Sequence, residues 1–463
     1  MTKTAFRNDF LRGLGSALIE LQSCADPAPF YDAILYGCLH NTVYDNQTES
    51  ERGWYLYQAA KLSGNETAIE EAVCQKFFRV GKEYRLFVQL SSILYHFAVD
   101  GSKAARNALY QQYVRMLREL SRKRKFEQIH LFHRRDMFEE LCIRLTSLDG
   151  WGTFKQIVND MSVCLLPKNI DVFFLDWFYY NSKDKFGKKR IAHYLQKQSG
   201  ISPHIFGYYE AAKELDTYNK TLAQKRNELP IPTLSEVLAL ARGEFPGRGR
   251  GLARRFAENA SSEDLEQLAQ AAMSESDAGI QVELLWPFRP MGRYKSSYMF
   301  PEEFLLRLSQ SNDGQLRHFA YGLIGQSPTP QTRELARSLI QSGTDVANGI
   351  YLLAKNPLPE DEGLLYDAVK SFRPHRNKGD WHWVHTDARD GIEAMRGKPK
   401  TTILDYLYRK TLCGFCRGEI VRIMHKKGVL SEQMLGECRF DANDDIRAFA
   451  ERLNRYRNRS KEQ

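Results

Sequence analysis

Apolar residues recur at helical spacing along the whole chain, and the alternating β-branched pattern of strands is scarce. In the N-terminal half, turn signals such as Ser63-Gly-Asn65 separate the helical windows from one another. The windows that predict helices most clearly are Glu51 to Leu62, Glu66 to Val80, Lys82 to Ala98, Lys103 to Leu120 and Pro203 to Glu228. The pattern therefore predicts an all-α protein.

The C-terminal half repeats a short motif of arginine, any residue, phenylalanine and alanine. It occurs at 254–257, 317–320 and 447–450. In the last two copies an aliphatic residue precedes the arginine, a leucine follows the alanine by three positions, and an Asp- or Asn-containing turn lies just upstream. These offsets place the apolar residues on one stripe of a helix that Asp or Asn caps.

Weaker copies of the motif fill the gaps and begin at Asp277, Asp345, Asp387 and Phe415. The spacing between copies is about 30 residues with two insertions, and helix-forming segments precede the copies. A single pair of helices of this length cannot bury its apolar face, whereas stacked pairs share a continuous core. The pattern therefore predicts an array of helix pairs.

This part of the chain, residues 254–455, resembles the short HEAT-like repeats of many bacterial proteins, most clearly from Cys413 to Leu453. The resemblance implies an α-solenoid with a concave face, and it is specific for fold and not for function. It also implies that Arg317, Arg417 and Arg447 form structural polar contacts between neighbouring repeats.

Proline and glycine mark the borders of the predicted domains. Pro230 and Pro232 cannot continue a helix, and residues 245–251 alternate glycine with arginine after a further proline. We therefore predict an α-helical N-terminal domain at 1–229, either without repeats or with degenerate ones. A linker at 230–251 and the HEAT-like array at 252–463 follow.

Composition and charge add little about partners. Hydrophobic residues make up 43% of the chain, charged residues 27%, and the formal net charge is +9. The basic residues cluster at 115–135 and 183–190, which is typical of solvated helix faces and also compatible with nucleic-acid binding. Eight scattered cysteines, the lack of a long apolar run and an N-terminus unlike a signal peptide favour a cytoplasmic protein.

No strong catalytic motif is present: the chain lacks a phosphate-binding loop, a nucleophile elbow and a zinc-protease signature. Cys413-Gly-Phe-Cys416 has redox-motif spacing, but it begins a repeat helix and is interpreted as a packed pair of thiols. We therefore expect no catalytic residue, no metal site and no cofactor.

The two insertions, 286–300 and 372–386, are rich in aromatic and basic residues, and neither has the pattern of a helix. Repeat insertions map to loops along one edge, which is often the binding face. The predicted partner-binding residues are Trp286, Arg289, Arg293, Tyr294, Arg376, Trp381 and Trp383. Alternatively, the tryptophans fill gaps between misaligned repeats.

Two functions are compatible with this pattern. The first is a non-enzymatic scaffold whose concave face binds a protein or peptide partner of acidic character. The alternative is a nucleic-acid-binding protein, including one that acts on DNA bases. Alkylpurine DNA glycosylases, which are HEAT-like proteins, use Trp, Tyr, Asp and Arg, and Asp380 and Asp387 lie beside the two tryptophans here.

Overall fold

The computed structural model describes residues 1–45, 49, 52–122, 130–164, 176–228, 230–243, 249–289, 298–373 and 378–461. Within these ranges the chain forms 26 α-helices and no β-strand. The all-α prediction is therefore confirmed. No helix of this part of the chain combines the length and the apolar composition needed to cross a bilayer.

The N-terminal half contains twelve of the helices of the described chain. They are α1 (Lys3–Arg12), α2 (Gly15–Ser23), α3 (Tyr31–Leu39), α4 (Gly53–Leu62), α5 (Glu66–Arg79), α6 (Tyr84–Val99), α7 (Lys103–Arg122), α8 (His130–Asp149), α9 (Trp151–Cys164), α10 (Asp176–Phe186), α11 (Lys188–Ser199) and α12 (Pro203–Glu228). All five windows predicted from the sequence are helices, with ends that differ from the prediction by two residues or fewer.

Fourteen further helices follow. They are α13 (Leu234–Ala241), α14 (Gly249–Asn259), α15 (Ser262–Ser274), α16 (Ala278–Leu285), α17 (Glu302–Ser309), α18 (Gly314–Ile324), α19 (Pro330–Ser342), α20 (Val346–Lys355), α21 (Glu362–Ser371), α22 (Lys378–Ala394), α23 (Thr401–Lys410), α24 (Gly414–Lys426), α25 (Glu432–Cys438) and α26 (Asp444–Lys461).

The chain divides into two compact units. Unit 1 comprises Met1–Asn227, Leu412–Gly418 and Leu430–Gln463, and unit 2 comprises Glu228–Thr411 and Glu419–Val429. In unit 1, α6 is buried along most of its surface and packs against α4, α5, α7 and α8. Its core is strongly aromatic, as shown by the fully buried rings of Tyr55, Phe77 and Phe87. The aromatic residues of this half are therefore mainly core residues.

The C-terminal segment of unit 1 packs on its N-terminal helices, with α25 against α2. The Ala442 amide donates a hydrogen bond of 2.8 Å to the Gly13 carbonyl oxygen. A Cβ atom at Gly15 would lie 2.0 Å from the carbonyl oxygen of Glu437, so only glycine permits this approach.

In unit 2 the helices pack as consecutive pairs, α15 with α16, α17 with α18, α19 with α20, and α21 with α22. The second helices of these pairs, α16, α18, α20 and α22, also contact one another in chain order. Asp277, Asp313 and Asp345 cap α16, α18 and α20 through their side-chain oxygens, as the sequence predicted.

The repeated arginines are structural. Arg317 Nη1 donates to the carbonyl oxygens of the two residues at the preceding turn, at 2.6 and 3.0 Å, and Arg447 Nη1 makes the same two contacts, at 2.6 and 2.9 Å. Arg417 instead forms a bidentate ion pair with Asp441, and both side chains are fully buried. Its Nε and Nη2 atoms each donate to one carboxylate oxygen at 2.8 Å. All three arginines make structural contacts, but the expected contact with a neighbouring helix pair is present only for Arg417; Arg317 and Arg447 each contact the turn before their own helix.

The prediction that 372–386 is a non-helical insertion was wrong from residue 378 onward, because α22 begins at Lys378. Asp380 lies in its first turn, where a carboxylate interacts favourably with the helix dipole. The buried residues of α22 recur at helical spacing and include Val384, His385, Ala388 and Ile392. Because His385 counts as polar in the sequence pattern, the buried stripe of this helix was not recognised. Asp387 therefore lies inside a helix and not at its start.

Candidate binding surface on the second helices of unit 2

The predicted partner-binding residues fall into three groups. Trp286 begins a short 3-10 turn after α16, and Arg289 follows that turn. Trp381 and Trp383 lie near the start of α22. Arg293, Tyr294 and Arg376 lie outside the described residues, so the structure places four of the seven.

Trp286 is the centre of an aromatic and cationic cluster. The Arg250 guanidinium of α14 lies 4.3 Å from the Trp286 ring centroid and pairs with Glu283, with Nη2 2.6 Å from Oε1. The Phe319 ring of α18 lies 5.8 Å from Trp286. Cation–π stacking and the ion pair fix the indole ring at the end of its helix.

Arg289 lies beside two rings of this cluster. Its guanidinium carbon is 5.6 Å from the centroids of both Trp286 and Phe319, and Nη2 is 3.4 Å from His318 Nε2. Burial and the nearby guanidinium lower the pKa of His318, which is therefore neutral at neutral pH. Within the described chain no carboxylate pairs with Arg289. This guanidinium therefore retains an uncompensated positive charge.

A second set of polar groups lies where α20 meets α22. Lys355 Nζ is 4.8 Å from the Tyr351 ring centroid. Burial raises the pKa of Tyr351 to about 12, Asp387 acts in the same direction, and Arg289 opposes both. Tyr351 is therefore within electrostatic range of both Arg289 and Asp387.

Asp387 is half-buried and makes no hydrogen bond or ion pair within the described part of the chain. Burial raises the pKa of its carboxyl group to about 7, and the neighbouring Asp390 contributes in the same direction. Lys355 and Arg389 oppose this shift. The side chain is therefore a carboxyl group that titrates near neutral pH.

Glycines bring these helices close enough for such contacts. A Cβ atom at Gly391 would lie 3.0 Å from the Ala354 Cα atom, so α20 and α22 approach each other closely one turn after Asp387. A Cβ atom at Gly325 would lie 2.9 Å from the Tyr351 hydroxyl oxygen. The absence of side chains at these two positions makes room for the tyrosine ring and for the helix contact.

We call the resulting set of side chains the second-helix surface. It consists of Trp286, Arg289, His318, Tyr351, Lys355 and Asp387. Sequence reasoning missed His318, Tyr351 and Lys355. His318 occupies the variable position of the repeated motif, and Tyr351 and Lys355 are one helical turn apart on α20. An alignment of the repeats would place all three on second helices, and this is the signal that the sequence offers for them.

The two tryptophans of α22 differ in environment. The Trp381 ring centroid is 4.9 Å from that of the buried His385, which lies 6.4 Å from Tyr406 of α23. Trp381 is half-buried and packs on His385 of its own helix. Trp383 is 65% exposed and is available to a partner.

Within unit 1 the basic cluster at 183–190 is engaged locally. Lys183 pairs with Asp216 and lies 4.6 Å from the Tyr179 ring centroid, and Arg190 stacks on Trp151 at 4.3 Å. The cluster at 115–135 lies partly outside the described residues. Cys413 and Cys416 are both buried, and Lys183 and Arg190 have local partners in unit 1.

No protein-family model matches the chain, and no curated protein or solved structure is significantly similar to it.

Proposed function

We propose that unit 2 is a binding module with HEAT-like repeats, and that its second-helix surface binds an acidic protein or peptide segment. The repeat assignment is supported by the consecutive helix pairs, by the contacts of the second helices in chain order, and by the capping aspartates. The second helices contact one another in chain order, so they form a continuous face, and stacked repeats offer such extended faces to partners.

The environment of Arg289 is the observation that carries this proposal. Its guanidinium lies at cation–π distance from two adjacent aromatic rings and beside a neutral histidine, and it has no carboxylate partner among the described residues. Arginine and tryptophan are enriched among the residues that dominate binding energy. A carboxylate from a partner supplies the missing counter-charge through a charge-assisted hydrogen bond.

The surface is better suited to binding than to catalysis. Its only carboxyl group, Asp387, has no adjacent nucleophile or second carboxylate held at bonding distance among the residues that the structure describes. Its aromatic and cationic groups instead come from the 3-10 turn after α16 and from two consecutive second helices, α18 and α20. An extended segment that crosses these helices reaches them all.

The proposal is tested with a fluorescein-labelled, glutamate-rich peptide and a matched peptide in which glutamine replaces glutamate. Fluorescence anisotropy measures the affinity of the wild type and of Arg289→Gln. We expect the wild type to prefer the glutamate peptide and the variant to bind it about tenfold or more weakly. The control is Arg254→Gln, because Arg254 already pairs with Glu258 at 2.7 Å. Equal binding by all three proteins would contradict the proposal.

Nucleic-acid binding is a second candidate, favoured by the titratable carboxyl group of Asp387 next to Tyr351 and by the exposed ring of Trp383. A flipped base needs an aromatic surface to stack on and a carboxyl group beside it. Titration with fluorescent single- and double-stranded DNA and RNA at two salt concentrations separates the candidates. Tight binding that weakens steeply with salt favours nucleic acid, and a flat salt response removes it.

A further inference from the structure

Arg289 and His318 lie side by side on the second-helix surface. Arg289 Nη2 is 3.4 Å from His318 Nε2, and this contact is open to solvent. A guanidinium group has only donors, so His318 accepts at Nε2 and carries its proton on Nδ1. The imidazole ring is therefore neutral in the free protein. Burial and the Arg289 charge act in the same direction, because both lower the pKa of His318.

The surroundings of this pair favour an anionic ligand. The guanidinium carbon of Arg289 is 5.6 Å from the ring centroids of Trp286 and Phe319, and no carboxylate pairs with it among the described residues. Asp345, the capping residue of α20, is the acidic group within electrostatic range of His318. In the described part of the chain, α17 adds no charged group that acts on the ring. The pair therefore offers an uncompensated guanidinium and, beside it, a ring nitrogen that can take up a proton.

We infer that Arg289 and His318 together bind the phosphate group of a phosphorylated side chain in the acidic segment, and that His318 takes up a proton as the phosphate binds. The inference rests on the proposed function, because it specifies the chemistry of the acidic group that Arg289 contacts. A phosphorylated side chain carries about −1.5 to −2 charges at pH 7 and presents three acceptor oxygens. It therefore differs from a carboxylate in both charge and number of acceptors.

Both differences favour a phosphate at this pair. The guanidinium fork occupies both oxygens of a carboxylate, whereas a phosphate bound in the same way keeps a third oxygen for the neighbouring ring. Once Arg289 donates to the phosphate, Nε2 of His318 is free to take up a proton from solvent and to donate it in a hydrogen bond to that third oxygen. The guanidinium and the imidazolium then carry two positive charges, which a dianion balances and a carboxylate does not.

The first test compares the glutamate-rich peptide with the same peptide carrying phosphoserine in place of one glutamate. Fluorescence anisotropy at about pH 7.5, where the phosphate is mainly dianionic, is expected to show about tenfold tighter binding of the phosphoserine peptide by the wild type. His318→Gln keeps an acceptor for Arg289 but cannot become charged, so we expect it to lose this preference and to bind the glutamate peptide as the wild type does. The control is His193→Gln, which replaces an exposed histidine of unit 1 and is expected to retain the preference.

The second test measures proton uptake directly, by isothermal titration calorimetry of the phosphoserine peptide in two buffers that differ in ionisation enthalpy. At about pH 7.5 the free phosphate is already ionised, so protons taken up on binding belong to the protein. Wild type is expected to take up about one proton per bound peptide, and His318→Gln none. A role of His318 in packing alone would leave no such difference between the two proteins.

Each outcome bears on a separate claim. Glutamate-peptide binding that Arg289→Gln weakens, without a preference for phosphoserine or without proton uptake in the wild type, overturns the phosphate site and leaves the proposed function standing. A preference that His318→Gln retains also overturns the phosphate site. Absence of binding of either peptide by the wild type overturns the proposed function and the phosphate site together. Far-UV circular dichroism of each variant verifies that it is folded.

Discussion

Replacing Arg417 with methionine removes one side of an ion pair that has no access to solvent. Arg417 Nε and Nη2 each donate to one carboxylate oxygen of Asp441 at 2.8 Å, and Nη2 also lies 3.4 Å from the Gly13 carbonyl oxygen. Both side chains are completely buried. Methionine keeps part of the apolar stem but leaves the Asp441 carboxylate without its counter-charge.

The expected loss is about 3–5 kcal/mol of unfolding free energy, the range for breaking a buried pair from one side. Arg317→Met is the matched control, because Arg317 holds the equivalent motif position but only donates to carbonyl oxygens at a partly exposed turn. Its loss is expected to be about 1–2 kcal/mol. The difference between the two variants isolates the cost of the uncompensated buried carboxylate.

Urea unfolding followed by far-UV circular dichroism gives both values. A further variant, Arg417→Met with Asp441→Leu, removes both charges and is expected to recover much of the lost stability, because a well-packed apolar pair replaces the ion pair. Equal losses for Arg417→Met and Arg317→Met would refute the reasoning that burial of the charge determines the cost. A double variant no more stable than Arg417→Met would refute it as well.

Three further predictions concern stability and binding. Gly15→Ala is expected to lower the unfolding free energy by about 1–3 kcal/mol, because the added Cβ atom meets backbone. Gly322→Ala is expected to raise it by about 0.5–1 kcal/mol, because a Cβ atom at this position of α18 meets open space. Chemical denaturation measures both values. Burial raises the pKa of Glu139 to about 9, above its unfolded value, so its contribution to stability is present below about pH 4.5 and is lost as the pH rises towards 9. Glu139→Gln is therefore expected to raise the melting temperature at neutral pH but not at pH about 4, and an equal effect at both would contradict this assignment. Trp383→Ala is expected to weaken peptide binding without changing the melting temperature, whereas Trp381→Ala lowers that temperature by removing its contact with a buried histidine.

Local signals in the sequence predicted much of the helical structure. The windows of the N-terminal half, the capping aspartates and the structural arginines depend on contacts within a few residues or on a repeated offset, and such signals are visible in one sequence. Asp313 and Arg317 illustrate this, because each contacts backbone of its own turn.

The start of α22 and the role of Gly15 were not predictable in this way. His385 is buried beside aromatic rings from other helices, and a pattern that counts histidine as polar ends the apolar stripe there. Gly15 is required by a carbonyl group more than four hundred residues away along the chain. Such tertiary contacts leave no local periodicity.

The candidate surface was predicted only in part, for the same reason. Trp286 and Arg289 are conspicuous by residue type, and the structure brings both together with His318. Tyr351 and Lys355 are ordinary residues of a repeat helix in the sequence, and their importance arises from the unpartnered Asp387 on the neighbouring helix. The distances between second helices, and not the residue types alone, define this surface.

The most direct test of the account is hydrogen–deuterium exchange of the protein with and without saturating glutamate-rich peptide. We predict that the peptide slows exchange in α16, the 3-10 turn that follows it, α18, α20 and α22, and leaves the first helices of the pairs, α15, α17, α19 and α21, unchanged. Protection restricted to those first helices or to unit 1, or no protection at saturation, would contradict the claim that the second-helix surface binds acidic segments.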